Sequence, residues 1–417
     1  MKKYISKLTF AIVVALVTSL GAALPAMAEP EPPVAVQAAI TKRIAAPTGT
    51  TIPASSFTFD FQQMARDRAT GNLSVMGSEH ISFIETTLSA SVSFTAGADP
   101  MAETGDFLAG VAWPHAGDFI FRVSERHNTN IFADYEHMVY SNEQFTVVVT
   151  VVNHEGKLIP TGAFAVPATP GTPGTLPQDS DPTSKVDPTP GTPGEPGTYS
   201  NLRFTNTFTR DIIGTLNNPA LEVTNKVVGD HANLVLPFEF TMQLQIPAEA
   251  LNRDAPFAFA EPAVATILNA AGESVRTIPL VGIPNPEGPP SDFTLSFTLS
   301  DGERLVIPVL PTGTSFTVSE TQQPEYSGEL EVRIGGEPAA SYAAGEGINF
   351  GMSMARNISD AGRNAADFTN THHHSPLTGL VIGSMPILVA IIGATLILSM
   401  MVASRSRQRI EQMSLTY

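Results

Sequence analysis

A lysine, a glutamate and an asparagine recur in the same order in the two halves of this 417-residue chain. Residues 121–125 read FRVSE and 316–320 read FTVSE, while 204–207 and 368–371 both read FTNT. Upstream of each pair an alternating segment carries a lysine, ITKRI around Lys42 and VTNKVV around Lys226. The order Lys42, Glu125, Asn206 is thus repeated as Lys226, Glu320, Asn370. With a leader and a C-terminal tail set aside, four lysines remain, Lys42, Lys157, Lys185 and Lys226, and two of them hold matching places. An amine, a carboxyl and a carboxamide repeated in this way argue for chemistry over solubility. The plainer alternative is a buried or edge salt bridge in each half, with the asparagine capping a turn.

Strands must position these residues. Between 33 and 371 the apolar residues alternate or come in short runs, such as FTFDF (57–61), FTVVVTVV (145–152), FEFTMQLQI (238–246) and FTLSFTL (293–299). Runs of this length, rich in Val, Thr and Phe and bounded by Gly, Pro and Asn, read as strands. HEG at 154–156 reads as a hairpin turn, and only 64–78 and 258–270 are candidates for short helices. With a period of two, Phe121, Val123 and Glu125 share a face, as do Phe316, Val318 and Glu320, so each acid is expected to point into a core. Phe204 shares a face with Asn206, and Phe368 with Asn370. The repeat divides the chain into domains at 33–212 and 218–371, with NNPA (217–220) near the junction. In 167–198, 14 of 32 residues are Pro or Gly, a composition that cannot hold strand pairing and predicts an extended, mobile loop.

The repeated trio resembles the Gram-positive pilins whose domains are closed by a lysine–asparagine isopeptide bond. The resemblance is closest to the two-domain streptococcal shaft pilins and covers nearly the whole mature chain. It implies an all-β fold of two tandem immunoglobulin-like sandwiches of collagen-adhesin B type. Each would be closed by its own bond, Lys42 to Asn206 and Lys226 to Asn370, with Glu125 and Glu320 as the catalytic acids. Asp60 and Glu239 are neighbouring acids that stand as substitutes. Such a bond has physical requirements. The lysine must be neutral to attack, although its ordinary pKa is about 10.4, and holding it neutral at pH 7 costs roughly 4–5 kcal/mol. Burial in an apolar core imposes that shift, and the same burial keeps a carboxylic acid protonated to polarise the amide. Folding supplies the proximity, so no external enzyme is required.

The two ends point to an address. Residues 1–28 run from Met-Lys-Lys through an apolar stretch to Ala26-Met27-Ala28, the pattern of a secretory signal peptide. Near the other end SPLTG (375–379) precedes an apolar span, 380–403, long enough to cross a bilayer as a helix. Arg405, Arg407 and Arg409 follow and hold that end on the cytoplasmic side. By itself this is a tail anchor. The order of motif, span and basic stop (375–409) is similar to a cell-wall sorting signal, with Ser375 replacing the usual leucine while Pro376, Leu377, Thr378 and Gly379 complete the motif. That resemblance implies cleavage by a sortase between Thr378 and Gly379, after transit through a membrane-bound precursor, and linkage to peptidoglycan in the wall.

In the family a sortase also joins the terminal threonine of one subunit to a lysine of the next, building a covalent homopolymer. Lys185 matches that acceptor by location, late in the first half, although it lacks the surrounding motif seen in other shaft pilins. Lys157 is its competitor, and a solvated loop lysine is the plain alternative. The resemblance implies a shaft subunit of a pilus; a monomeric wall-anchored adhesin or a minor tip or base pilin with the same domains is the alternative. A host-surface ligand belongs to that second reading.

Composition narrows the rest. A formal net charge of −17 argues against phosphate-backbone binding, so no nucleic acid is expected. Without cysteine the chain has neither disulfides nor a thiol nucleophile, and any cross-link must use other side chains. No phosphate loop, metal-ligand cluster or Ser/His/Asp arrangement stands out, so no metal, cofactor or activity on an outside substrate is read. The run His372–His374 reads as a polar spacer, and DFTLS (292–296) as part of a strand.

Overall fold

The computed structural model describes residues 32–373, apart from 87, 128–129, 171–183, 193–194, 196–197 and 284–289, together with 394–401. Strand pairing dominates it. The buried apolar side chains gather in two large clusters, one drawn from residues 38–208 and the other from 220–368.

Each cluster lies between two sheets, and the chain threads both in the same way. In the first unit the strand Thr41–Ala45 pairs in parallel with Arg203–Ile213, so the first and last strands are neighbours. Facing them is a sheet built on Ser55–Arg66, Gly117–Glu125, Gln144–His154 and Lys157–Ala168. In the second unit Leu221–Val228 pairs in parallel with Ala365–His372, facing a sheet that contains Phe238–Gln245, Asp292–Leu299 and Ser315–Thr321. The end of Arg203–Ile213 also pairs with Val309–Pro311, so one strand runs from the first sandwich into the second. Arg253 reinforces that junction by gripping both oxygens of Asp211, at 3.1 and 2.7 Å.

Local sequence explains most of these elements. Phe238–Gln245 alternates buried and exposed along its whole length, as a sheet with one dry face requires. The 64–78 region departs from the helical expectation. Strand Ser55–Arg66 continues to its end because Met64 still pairs with Ile120, and the chain then turns back into Leu73–Val75. Asp67 makes that turn, its carboxylate accepting from the Ala69 amide and the Thr70 hydroxyl, while Gly71 takes a positive φ of 73°. Near 258–270 the structure likewise has a strand, Val264–Leu268, and the helical turn in that neighbourhood is Ala248–Leu251.

The described part of 167–198 is pinned. Val186 exchanges both backbone hydrogen bonds with Ala165, and the Pro188 carbonyl accepts from the Ala39 amide. The leader (1–28) and the sorting motif (375–379) lie outside the described residues. Of the apolar span, 394–401 are helical, and among the described residues no helix is long and apolar enough to cross a membrane.

Candidate functional site

In the first core the strand containing Lys42 and the residue before it turn Ile40, Lys42 and Ile44 inward, and all three are at most 1% exposed. A lysine buried to that degree without a partner would be severely destabilising, and its amine is met from the facing sheet. Lys42 Nζ lies 2.7 Å from Glu125 Oε2, with both side chains shielded from solvent. The second carboxylate oxygen, Oε1, accepts from Asn206 Nδ2 at 2.8 Å. Asn206 Oδ1 in turn accepts from the backbone N–H of Ser141 at 2.8 Å. Phe57 closes the site over the amine, its ring centroid 4.7 Å from Lys42 Nζ. Beneath the trio Phe204 packs on Phe59 and Phe145, with centroids 5.0 and 5.2 Å apart.

Burial pushes the Lys42 ammonium down to about 8, against the opposing pull of Glu125. The amine therefore loses its proton far more readily than a solvated lysine. One carboxyl group touches both the amine and the carboxamide, so a proton released by Lys42 has a hydrogen-bonded path toward Asn206. The Ser141 N–H is aimed at the oxygen on which negative charge would develop if the amide carbon were attacked. Ser141 was not legible in the sequence, because a backbone donor leaves no residue-type signal. Phe57 carried a signal only as one more aromatic in FTFDF.

The second core holds the same architecture with one member changed. Glu320 and Asn370 are buried, at 2% and 0% exposure. Lys226, expected to complete the trio, is exposed on the outer face of its strand, while Asn225 points inward and is 2% exposed. Strand register shows why. Ile44 pairs with Asn206, and Lys42 stands two residues before Ile44; Val227 pairs with Asn370, and two residues before Val227 stands Asn225. Lys226 thus corresponds to Arg43, and its amine and the Asn370 carboxamide face opposite sides of one sheet. The expected Lys226–Asn370 pairing is not made. A signal for this was present: Thr41-Lys42 aligned on Thr224-Asn225 places asparagine where the first half has lysine.

Asn225 fills the vacancy with its own hydrogen bonds. Its Oδ1 accepts from Asn370 Nδ2 at 3.0 Å, and its Nδ2 donates to the Leu299 carbonyl at 2.9 Å. Gln322 Nε2 donates to Asn370 Oδ1 at 3.0 Å, the role that the Ser141 N–H has in the first core. Among the described residues neither oxygen of Glu320 has a hydrogen-bond partner. Burial pushes its carboxyl up to about 8, against a weaker opposing influence of the nearby Asn370 side chain, which favours the anion without making a hydrogen bond of normal geometry to it. The substitute acids are placed elsewhere: Asp60 is half exposed and paired with Arg126, and Glu239 lies on the outer face of its strand.

Lys185 is exposed, next to the bridged Val186, with its ammonium 4.6 Å from the Phe164 ring centroid. Lys157 is exposed at the hairpin, paired with His154 across the turn. Of the histidine run, His372 lies 3.5 Å from Glu325 and His373 2.6 Å from the Ser327 hydroxyl. No group of three potential metal-ligating side chains occurs among the described residues.

Residues 219–372 match the family DUF7601, described as a domain of unknown function. No curated protein matches the chain. Similar solved structures include the major pilin from Streptococcus pyogenes, 18% identical over 82% of this chain and 100% of that one, with a TM-score of 0.30. A second major pilin from the same organism, of type T-13, is 18% identical over 81% and 98%, with a TM-score of 0.28. A pilus-presented adhesin is 10% identical over 80% and 100%, with a TM-score of 0.22.

Proposed function

We propose that this chain is a structural subunit of a Gram-positive surface pilus, and that its first domain seals itself with an isopeptide bond between Lys42 and Asn206. The observation that carries this reading is the single carboxylate of Glu125 bridging the Lys42 amine and the Asn206 carboxamide in a dry core. Transfer of the ammonium proton to Glu125 neutralises both groups, which a site of low dielectric favours. The free amine attacks Asn206 Cγ, the Cγ–Nδ2 bond breaks, and Glu125 returns a proton to the departing nitrogen. One C–N bond replaces another and one ammonia leaves. The Ser141 N–H steadies the oxyanion in between.

The topology gives the bond its purpose. Tension on the chain enters at the start of Thr41–Ala45 and leaves at the end of Arg203–Ile213, two parallel strands pulled from opposite ends. Their hydrogen bonds are loaded in shear, and a covalent tie from Lys42 to Asn206 carries the load past the whole loop between them. Thr378 would then be joined by a sortase to Lys185 of another subunit, or to peptidoglycan at the wall. Lys185 suits acceptance because its side chain is exposed next to the bridged Val186.

Intact mass tests the bond. The exported chain should fall short of its sequence mass by one ammonia, with a linked peptide pair carrying Lys42 and Asn206; the full unreacted mass refutes it. Denaturing gels of wall extracts test assembly. A ladder of multimers that collapses to monomer in Lys185→Ala supports the shaft reading, whereas a single wall-linked band in the native strain supports the adhesin or minor-pilin alternative.

A further inference from the structure

The two cores match position by position. Phe59 and Phe240 pair across the sheet with Glu125 and Glu320 respectively. Phe59 packs on Phe204, and Phe240 on Phe368, each pair with centroids 5.0 Å apart. Phe57 and Phe238 stand two residues before those rings and are both fully buried. Asn206 and Asn370 occupy the same register on their last strands. Within the trio of amine, acid and carboxamide only the amine position differs, Lys42 in one core and Asn225 in the other.

We infer that the second core is a half-built cross-linking site, holding an acid and a carboxamide in place and lacking only the amine, so that this domain stays open to stretching and proteolysis while the first is sealed. Three observations converge on it. Glu320 is buried with no hydrogen-bond partner among the described residues, a costly arrangement for a group with a purely structural role. Asn370 Oδ1 is already held by a donor, Gln322, as Asn206 Oδ1 is by Ser141. Asn225 lies within 3.0 Å of the Asn370 amide, so its backbone stands where a longer amine-bearing side chain would enter between Glu320 and Asn370. A lysine introduced there would lose a proton to Glu320 or to solvent during folding and attack Asn370 Cγ. Cγ–Nδ2 would break, and ammonia would leave with a proton relayed by Glu320. The balance is that of the first core.

The inference rests on the Lys42–Asn206 reading, and mass with peptide mapping separates the two. The native chain should lack one ammonia, mapped to Lys42 and Asn206, and Asn225→Lys should lack a second, mapped to residues 225 and 370. Adding Glu320→Ala to Asn225→Lys should restore that second ammonia alone. A folded Asn225→Lys chain that still lacks only the first ammonia overturns the inference and spares the first reading. A native chain lacking none overturns the first reading itself. If Asn225→Lys does not fold, Glu320→Gln in the otherwise native chain decides. A neutral, unpartnered acid predicts that the second domain's melting temperature at pH 5 is unchanged, while a large drop there would mean Glu320 is held as a paired anion and the inference fails.

Discussion

The first core commits a lysine to the interior, and the second keeps the acid and the carboxamide without it. In the first, amine, acid and amide form a continuous hydrogen-bonded line, Lys42 to Glu125 to Asn206. In the second that line is broken at Glu320, and two carboxamides and a glutamine satisfy one another around it. The chemistry of a site is therefore decided by its least replaceable member. Asparagine at 225 can hydrogen-bond but cannot attack, and everything around it becomes packing. If the proposed bond forms, the mechanical consequence is an asymmetric chain, one sandwich closed covalently and one held by its ladders.

The largest expected effect comes from opening the first core. Lys42→Ala should restore one ammonia and release a loop of more than 160 residues, costing about 5 kcal/mol by the chain-entropy estimate for a cross-link. Unfolding with mass detection reads both numbers, and a stability equal to the native chain would break the contrast between the cores.

Next comes the pH response of the second core. Glu320 is raised from 4.5 to about 8 when folded, so the folded state keeps a proton that the unfolded chain releases. Stability of this domain should fall as pH rises from 4.5 toward 8 and level off beyond, by at most about 5 kcal/mol. Hydrogen exchange at Ala365–His372, corrected for intrinsic rates, follows it; protection that grows over this window would mean Glu320 is ionised and paired.

A smaller effect sharpens the role of the aromatic cover. Phe57→Leu keeps most of the volume and should cost about 1 kcal/mol in the folded chain. It also loosens the cover over Lys42 and should slow closure, so pulse-labelled chains would show unlinked mass for longer than the native protein. Closure at the native rate would remove Phe57 from the mechanism. The smallest effect is expected at Lys226→Ala, an exposed position, within about 0.5 kcal/mol and with the same single ammonia missing from its sequence mass. A gained ammonia in that variant would reinstate Lys226 as the second nucleophile.

Much of the sheet architecture was legible from alternation alone. FTVVVTVV and FTLSFTL became Gln144–His154 and Asp292–Leu299 because their apolar runs suit dry sheet faces. Residues 64–78 misled because MARDRATGN has helix-forming residues and no strong alternation; long-range pairing of Met64 with Ile120 outweighed local propensity. The Pro/Gly-rich segment misled for a related reason. Composition reports what a segment cannot do by itself, and says nothing of the two hydrogen bonds that Ala165 offers to Val186.

For the site, the sequence alone determined the acid and the asparagine of each core. FRVSE, FTVSE and the two FTNT copies each have a single alternation parity, so the face of Glu125, Glu320, Asn206 and Asn370 followed from period two. What only the tertiary structure decided was which residue of VTNKVV faces inward. That run has valine on both parities, and a shift of one residue exchanges the faces of Asn225 and Lys226. Pairing of Val227 with Asn370 settles the choice in favour of Asn225, since burying the uncharged amide costs far less than burying a second ammonium.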